Sequence, residues 1–274
     1  MEECKYLKKK WGNYRLNFFL KSLLVFKYLG LSRGKLRHII LNIIIKCHPF
    51  LYVDYNYLGC KFRLSIKNNN TDAKILTTSK DYEKDELEFL CKFLKGNYFL
   101  DIGANTGYYS LLIAKKIKNC QILAIEPNPK TYRILEFNIL ANNLDSRIKI
   151  ERSGIGENEV STFHSSGDLG SVSLFKSDDG QYESFTLKTQ TLEETIQKHN
   201  ITKIDAIKID IEGMENIALQ QFFKECPKEL YPKCIVLEHN HSELWKDDLI
   251  KSLIKYGYIV ELKNRSNYIL TINK

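Results

Sequence analysis

Between residues 98 and 238, short apolar segments alternate with helix-like segments, and this alternation limits the possible folds more than any other feature of the sequence. The apolar segments have the length of buried strands and lie at 98–102, 121–126, 148–150, 205–210 and 234–238. The helix-like segment at 129–141 has an N-cap residue, Asn128, and a proline at its first position. This alternation predicts an α/β protein with a parallel, doubly wound sheet.

Two further segments precede this region. Alternating polarity and an asparagine-rich turn predict a small β meander over residues 51–80, with strands at 51–58, 60–66 and 74–78. The main domain then covers 81–274 and opens with a helix at 82–94. Residues 1–50 form a separate segment with two stretches of helical apolar spacing, at 16–24 and 36–44, and a break near 30–34.

The positive charge of the chain is concentrated in residues 1–50. This segment has eleven Lys and Arg against two acidic residues, a net charge of +9, whereas the whole chain carries +8, so the other 224 residues sum to −1. A local excess does not predict a general nucleic-acid surface. The two amphipathic helices can pack on the main domain or on a second subunit, which is the interpretation we favour. Alternatively, they can dock an anionic partner or lie on an anionic membrane.

Composition narrows the class of protein further. With 43% apolar and 27% charged residues, the chain is typical of globular proteins, and no uncharged apolar run approaches the roughly 18–20 residues of a membrane-spanning helix. We expect no cleaved signal peptide. The seven cysteines include no C-x-x-C pair, so reduced thiols, a cytoplasmic location and no structural zinc are expected.

A glycine-containing turn follows the first strand of the predicted sheet. Gly103 and Gly107, in the segment Asp101-Ile-Gly-Ala-Asn-Thr-Gly107, allow a tight turn and a close approach of a ligand to the backbone. The second strand ends in Glu126, where a carboxylate can accept hydrogen bonds from both hydroxyls of a ribose. Strand, turn, helix, strand and acid together predict a nucleoside-binding unit.

The turn also indicates which nucleoside is bound. Asn105 stands where a dinucleotide fingerprint has its middle glycine, and no Walker lysine follows. The carboxylate of Asp101 repels a pyrophosphate but stabilises a cationic amino-acid group. S-adenosylmethionine carries adenosine, an ammonium group and a sulfonium, without phosphate, and is therefore the predicted cofactor.

At this point the chain resembles the FkbM family of S-adenosylmethionine-dependent methyltransferases. The matching segments are 99–107, 124–129, 208–215 (Lys-Ile-Asp-Ile-Glu-Gly-Met-Glu) and 236–239, and the similarity extends from about Asp81 to Tyr268. The resemblance implies a Rossmann-like class I methyltransferase sheet of seven strands, whose last hairpin (258–262 and 268–272) is antiparallel. It also implies O-methylation of sugars, polyketides or similar hydroxylated molecules.

Carried over residue by residue, the resemblance also implies the cofactor site. Its residues are Asp101, Gly103, Asn105 and Gly107 for the methionine portion, Glu126 for the ribose and Asn128 for the adenine. Residues 153–157, after the third strand, are expected to form the far wall of the adenine pocket.

Methylation of a hydroxyl requires a base or a metal ion near the transferred methyl group. Candidates follow the fourth and fifth strands: Asp210, Glu212 and Glu215 after the fourth, and Glu238, His239, Asn240 and His241 after the fifth. His239 is our first choice for the base, with Asp210 and Glu212 as further catalytic residues. Alternatively, Asp210 with Glu238 or Asn240 supplies hard oxygen ligands to Mg²⁺. Simpler explanations exist for Glu212 and Glu215, as acids at a helix start, and for His241, as a solvated side chain.

Residues 161–174 are rich in Gly and Ser and predict a mobile hairpin or lid over the cleft, with His164 as a second base candidate. We expect a small-molecule or glycan acceptor and no nucleic acid, because 209–213 has no aromatic platform for a flipped base. A homo-oligomer and peripheral contact with an anionic membrane remain open. The competing hypothesis is a non-catalytic scaffold that binds a partner through the basic arm.

Overall fold

The computed structural model describes residues 2–29, 34–79, 82–165, 167–173 and 183–272. Within them the α-helices are α1 (Glu2–Leu7), α2 (Phe18–Leu23), α3 (Gly34–Cys47), α4 (Asn70–Thr77), α5 (Lys84–Phe93), α6 (Tyr108–Lys116), α7 (Pro129–Ala141), α8 (Leu192–Lys198), α9 (Glu215–Glu225) and α10 (Leu249–Lys255). Short 3₁₀-helices cover Leu24–Lys27, Lys228–Leu230 and Ser242–Leu244. Within the described ranges, no helix has the length and apolar character needed to cross a bilayer.

The strands of the described residues form three sheets. They are β1 (Val53–Tyr57), β2 (Cys60–Leu64), β3 (Tyr98–Ile102), β4 (Gln121–Ile125), β5 (Ile148–Glu151), β6 (Gly154–Ile155), β7 (Val160–Ser165), β8 (Val172–Ser173), β9 (Glu183–Gln190), β10 (Ile204–Ile209), β11 (Cys234–Glu238), β12 (Ile259–Lys263) and β13 (Asn267–Thr271). β1 and β2 form a hairpin, and β6 to β9 form a small four-stranded sheet.

The main sheet has seven strands in the order β12-β13-β11-β10-β3-β4-β5. All neighbours pair in parallel except β13, which is antiparallel to both β11 and β12. Successive residues of the central strands face opposite sides of the sheet, so Phe99 lies in one apolar cluster and Leu100 and Ile102 lie in the other. The predicted fold class, including the terminal hairpin, is confirmed.

The segment 51–80 differs from the predicted meander. β1 and β2 are present, but the third predicted strand, 74–78, lies instead in and just after helix α4. The asparagine-rich turn is the start of this helix, because the Asn69 side chain accepts a hydrogen bond from the backbone N–H of Asp72 as an N-cap. The apolar residues Ile75 and Leu76 are buried on this helix. The predicted helix at 82–94 begins at Lys84, and Asp81 lies outside the described residues.

The N-terminal arm, residues 2–47, packs on the rest of the protein. Helix α2 with the 3₁₀-helix after it, and helix α3, correspond to the two predicted amphipathic segments, and the predicted break at 30–34 falls largely outside the described residues. Leu20, Leu24, Ile40 and Ile44 are buried in the same apolar cluster as residues of β1, β2 and α4. One face of each amphipathic segment is therefore part of the core.

A buried ion pair fastens the beginning of the arm. The guanidinium of Arg63 on β2 donates to both carboxylate oxygens of Asp54 on β1, at 2.8 and 3.0 Å, and both side chains are fully buried. It also donates to the backbone carbonyls of Tyr6, Lys9 and Lys10. A single side chain thus satisfies three carbonyls of the arm and one carboxylate of the hairpin.

We expect Arg63→Ala to lower the free energy of unfolding by about 3–5 kcal/mol, because it leaves the Asp54 carboxylate buried without its cation. Chemical denaturation of the two proteins measures the difference. Lys84→Ala is the matched control, because it removes the exposed Lys84–Glu88 pair and should cost less than about 1 kcal/mol. Equal effects of the two substitutions would show that the buried pair does not hold the arm.

Candidate functional site

The turn after β3 lies in close contact with the end of β10. Gly103 has φ +77°, and a Cβ at this position would lie 1.9 Å from the backbone carbonyl oxygen of Asp210. Gly107 has φ +96°, and its Cβ would lie 2.7 Å from a methyl group of Leu135. Only glycine fits at Gly103 without moving backbone, because the obstacle is a carbonyl group. The predicted tight turn is present, and it joins two strand ends.

Glu126 links the turn to the loop after β4. Its carboxylate accepts hydrogen bonds from the backbone N–H of Asn105 at 2.9 Å and of Asn128 at 2.8 Å. Burial raises the pKa of this carboxyl to about 7, although the two N–H groups oppose the rise. Carboxylate oxygens have further lone pairs, so both can also accept hydrogen bonds from a ligand.

A cavity of about 230 Å³ lies at the carboxyl edge of the sheet. Seven of the predicted residues line it: Gly103, Asn105 and Glu126 from the cofactor set, and Asp210, Glu212, Glu238 and Asn240 from the catalytic and metal sets. Four predicted residues do not: Asp101, Gly107, Asn128 and His239. The cavity is also lined by residues that the sequence did not single out as site residues, including Lys208, Tyr82 and Glu83.

Asp101 lies behind the turn. Its carboxylate accepts hydrogen bonds from the backbone N–H and the hydroxyl of Ser110 on α6, at 3.0 and 2.6 Å. The side chain is buried, and burial raises its pKa, while the nearby Lys208 ammonium opposes the rise. The oxygen bonded to Ser110 holds α6 against the sheet, whereas the other carboxylate oxygen is buried without a hydrogen-bond partner among the described residues, and the contact with the methionine portion stays a prediction.

The wall opposite Glu126 is formed by Ser153, Gly154 and Ile155 after β5, together with Phe163 on β7. The hydroxyl of Ser153 is buried and has no hydrogen-bond partner among the described residues. A buried polar atom of this kind is costly unless a ligand or water satisfies it. Residues 153–155 of the predicted range thus line the cavity, whereas Glu157, the last residue of that range, does not, and the role as a wall of the adenine pocket stays a prediction.

A buried lysine faces the acidic end of the cavity. The ammonium of Lys208 on β10 lies 2.9 Å from the carboxylate of Asp210. Burial opposes the charge of Lys208, but the carboxylates of Asp210 and Asp101 outweigh burial and raise its pKa to about 12. Lys208 is therefore a permanent cation at the centre of the site. The signal in the sequence is a lysine inside the mostly apolar strand 204–209, which also contains Asp205.

Glu238 ends β11 at the same edge. One of its carboxyl oxygens accepts the backbone N–H of Asn240 at 2.9 Å, and the other is buried with no partner among the described residues. Burial and the charge of Asp210 raise the pKa of Glu238 to about 9. The carboxyl is thus protonated near neutral pH and can donate a hydrogen bond into the cavity.

Glu212 and His241 form a hydrogen-bonded pair in the cavity. The Nε2 atom of His241 lies 2.7 Å from a carboxylate oxygen of Glu212. Burial, with the charge of Asp210, raises the pKa of Glu212 to about 7, and His241 opposes the rise. Glu212 has φ +54° and Gly213 has φ +102°, so a left-handed turn after β10 places the carboxylate beside the histidine.

This arrangement favours His241 over His239 as a base. The ring of His239 does not line the cavity; its Nε2 lies 3.2 Å from the carbonyl oxygen of Asn264, and the ring packs on Tyr268 with centroids 4.7 Å apart. The structure therefore does not support the choice of His239 made from the sequence. His164, on β7, also lies outside the cavity lining.

The residues predicted to bind Mg²⁺ offer a poor set of ligands. Within the described ranges, no group of three or more His, Cys, Asp or Glu is placed to hold a metal ion. Asp210 already has a cationic partner in Lys208, and Glu238 is protonated near neutral pH. Asn240 is exposed at the rim.

A hairpin covers the cavity, at the position predicted for a lid. β7 and β8 pair in antiparallel fashion, and Asp168, Gly170 and Ser171 of the connection line the cavity, while residues 166 and 174 lie outside the described residues. The carbonyl of Leu169 accepts hydrogen bonds from the side chains of Asn128 and Thr131, both at 3.0 Å. Asp168 is bonded to Asn70 at the start of α4. Asn128 therefore holds the lid in this conformation.

The sequence of this chain is similar to those of known proteins. Residues 101–260, more than half of the chain, match the family described as "Methyltransferase FkbM domain". "Methyltransferase 1" of Beauveria bassiana (strain ARSEF 2860) is 24% identical over 152 residues, which are 48% of this chain and 60% of that protein. "Methyltransferase sdnD" of Sordaria araneosa is 36% identical over 58 residues, 21% of this chain and 22% of that protein. The match thus spans less than two thirds of each of these relatives.

Among solved structures, the human "methyltransferase 10 domain containing protein" superposes with a TM-score of 0.50. The alignment covers 94% of this chain and 98% of that one, at 11% sequence identity. At this identity the likeness shows a shared fold.

We expect Glu238→Gln to change how stability depends on pH. A carboxyl whose pKa is raised by folding, from 4.5 to about 9, stabilises the folded state in its protonated form, so stability falls as pH rises from about 4.5 to 9. The amide cannot ionise. The variant should therefore gain stability over the parent between pH 5 and pH 8, by at most about 4 kcal/mol. Urea unfolding at the two pH values measures this difference. Glu88→Gln, at an exposed position, should show none.

Proposed function

The chain belongs to the FkbM methyltransferase family, and from this premise we propose that it transfers the methyl group of S-adenosylmethionine to a hydroxyl oxygen of a sugar, a glycan or a related hydroxylated molecule. The observation that carries the proposal is the cavity at the carboxyl edge of the sheet. It brings the glycine turn and Glu126 together with a hydrogen-bonded histidine–carboxylate pair. Donor binding and proton removal are thus available in one space.

The residues present fit the donor. Gly103 exposes backbone at the turn, Glu126 offers carboxylate oxygens to a ribose, and the Ser153 hydroxyl needs a partner such as a ring nitrogen of adenine. The carboxyl group of Glu83, which also lines the cavity, can accept a hydrogen bond from the ammonium group of the donor. When bound, S-adenosylmethionine supplies a methyl group on a positively charged sulfur, which is a good leaving group.

The cavity is small for a bound donor. At about 230 Å³ it is smaller than the roughly 300–1,000 Å³ of typical small-molecule sites. Asp168, Gly170 and Ser171 of the lid form one wall. We infer that the lid moves outward when the donor binds, which breaks the hydrogen bonds of Leu169 to Asn128 and Thr131.

The chemistry that we propose for this chain is proton removal from the acceptor. The Nε2 atom of His241 lies 2.7 Å from Glu212 and its Nδ1 atom lies 3.5 Å from the exposed Glu243, and the proposed acceptor of the hydroxyl proton is the Glu212–His241 pair. With the donor bound, the methyl group would pass in line from sulfur to the hydroxyl oxygen while the histidine–carboxylate pair keeps the proton. The protonated Glu238 and the Lys208–Asp210 pair line the same space and can orient the acceptor hydroxyl.

A metal route remains as the alternative from the sequence, with Mg²⁺ held by Asp210 and Glu238 or Asn240. Activity that is abolished by a chelator and restored by Mg²⁺ would support it. Activity that is indifferent to chelation supports the histidine base.

Replacing Glu126 with Ala should weaken S-adenosylmethionine binding by about 1.5–3 kcal/mol, because the ribose hydroxyls lose charge-assisted hydrogen bonds. Isothermal titration calorimetry measures the change, and a melting curve checks that the variant is folded. Glu157→Ala is the matched control, since this exposed acid lies outside the cavity. An unchanged affinity in folded Glu126→Ala would contradict the proposed donor site.

Substitutions of His241 and His239 distinguish the base that the structure favours from the base that the sequence predicts. We expect His241→Ala to lower turnover at least about 100-fold, the usual contribution of a general base, while donor affinity changes little. His239→Ala should retain near-normal turnover because its ring lies outside the cavity. The measurement is transfer of labelled methyl groups to a panel of sugars, lipid-linked glycans and polysaccharide fragments. A loss in His239→Ala with normal turnover in His241→Ala would restore the choice made from the sequence.

A further inference from the structure

The N-terminal arm has a second face, which the core does not cover. Between residues 18 and 29, six large apolar side chains are exposed: Phe18, Phe19, Val25, Phe26, Tyr28 and Leu29. Phe18 is 89% exposed and Phe19 62%. Helix α2 packs against α3, whose Leu36 and Ile39 are also exposed. We call these eight residues the arm patch. An apolar group of this size on a protein surface marks a binding site.

The charge around the arm patch is of one sign. No aspartate or glutamate occurs between residues 4 and 53. Lys21 on α2 and Lys35 and Lys46 on α3 are exposed. The partner of the patch must therefore accept apolar side chains and also neutralise several lysines at once.

We propose that the arm patch binds the surface of an anionic lipid membrane. Aromatic and aliphatic side chains on a helix that also carries lysines are the combination that lies in the interface, with rings among the acyl-chain boundary and ammonium groups at the lipid phosphates. A second copy of this chain fits less well. A symmetric contact would place two arms of charge +9 against each other without acidic partners.

The fold holds the arm patch close to the cavity. Lys27, at the end of the 3₁₀-helix after α2, is buried, and its ammonium donates to the hydroxyl of Tyr55 at 2.6 Å and to the carbonyl of Leu76 at 3.1 Å. Leu76 belongs to α4, which is about 12 Å long and whose other end, at Asn70, lines the cavity. An acceptor that is anchored in the same membrane then lies near the site. This last consequence rests on the proposed function, whereas lipid binding does not.

Vesicle sedimentation with the full-length chain tests the proposal. The vesicles are phosphatidylcholine alone, or phosphatidylcholine with one fifth phosphatidylglycerol, at 50 and 300 mM salt. We expect binding to the anionic vesicles to be at least tenfold tighter than to the neutral ones, and to weaken severalfold at the higher salt because of screening.

Paired variants separate the two parts of the patch. Phe18→Ser with Phe19→Ser should weaken anionic-vesicle binding at least tenfold, and each of Lys21→Gln, Lys35→Gln and Lys46→Gln about fivefold at low salt. The controls are Ile254→Ser, at a 52% exposed position on α10, and Lys118→Gln, both remote from the arm in sequence, which should leave binding unchanged. All substituted side chains are exposed, so melting temperatures should stay within a few degrees of the parent.

Two outcomes overturn the proposal. One is no binding to anionic vesicles at 50 mM salt, or binding that the control substitutions weaken as much as the patch substitutions. The other is a dimer in light scattering that Phe18→Ser with Phe19→Ser dissociates while lipid binding is absent, which would assign the patch to a second copy. Because the readout is sedimentation, these results are independent of whether the chain transfers a methyl group.

Discussion

The contact between Gly103 and the backbone of Asp210 joins the two halves of the site. Strand β3 delivers the glycine turn, and β10 delivers the carboxylates and Lys208. A side chain at position 103 would overlap the Asp210 carbonyl oxygen, so the two strand ends can meet only because this residue has no Cβ. The backbone N–H of Asp210 also donates to the carbonyl of Ile102 at 3.0 Å. The residues proposed to bind the donor and those proposed to act on the acceptor are thus connected by one shared stretch of backbone.

The charges of the site form a second level of organisation. The carboxyl groups of Asp101, Glu126 and Asp210 interact with one buried ammonium group, that of Lys208, and Glu212 and Glu238 line the same cavity. Burial is the main cause that raises the pKa of several of these carboxyl groups. One cation does not neutralise all of them. Such a surplus of acidic groups is unfavourable in the free protein and suits a cationic ligand.

The sequence predicted the sheet, the glycine turn and the ends of the relevant strands, because strand and helix periodicities and glycine positions are local signals. It did not predict which of two histidines faces the cavity. His239 and His241 both follow β11, and their different directions are set by distant residues: Asn264 and Tyr268 hold the first, and Glu212 holds the second. Similarly, helix α4 was read as a strand because an asparagine-rich segment begins turns and helices alike. A lysine within a mostly apolar strand, such as Lys208, is a local sequence signal of a buried charge.

The buried Arg63–Asp54 pair has a mechanical consequence. Since Arg63 also binds three backbone carbonyls of the arm, the arm is a fixed part of the body and not a tether that swings on a linker. Any surface to which the arm attaches therefore sets the tilt and height of the whole sheet. On a flat support, the mouth of the cavity would face one direction at one elevation. Which acceptor groups enter the cavity would then depend on the shape of the substrate, because the protein does not bend between the arm and the sheet.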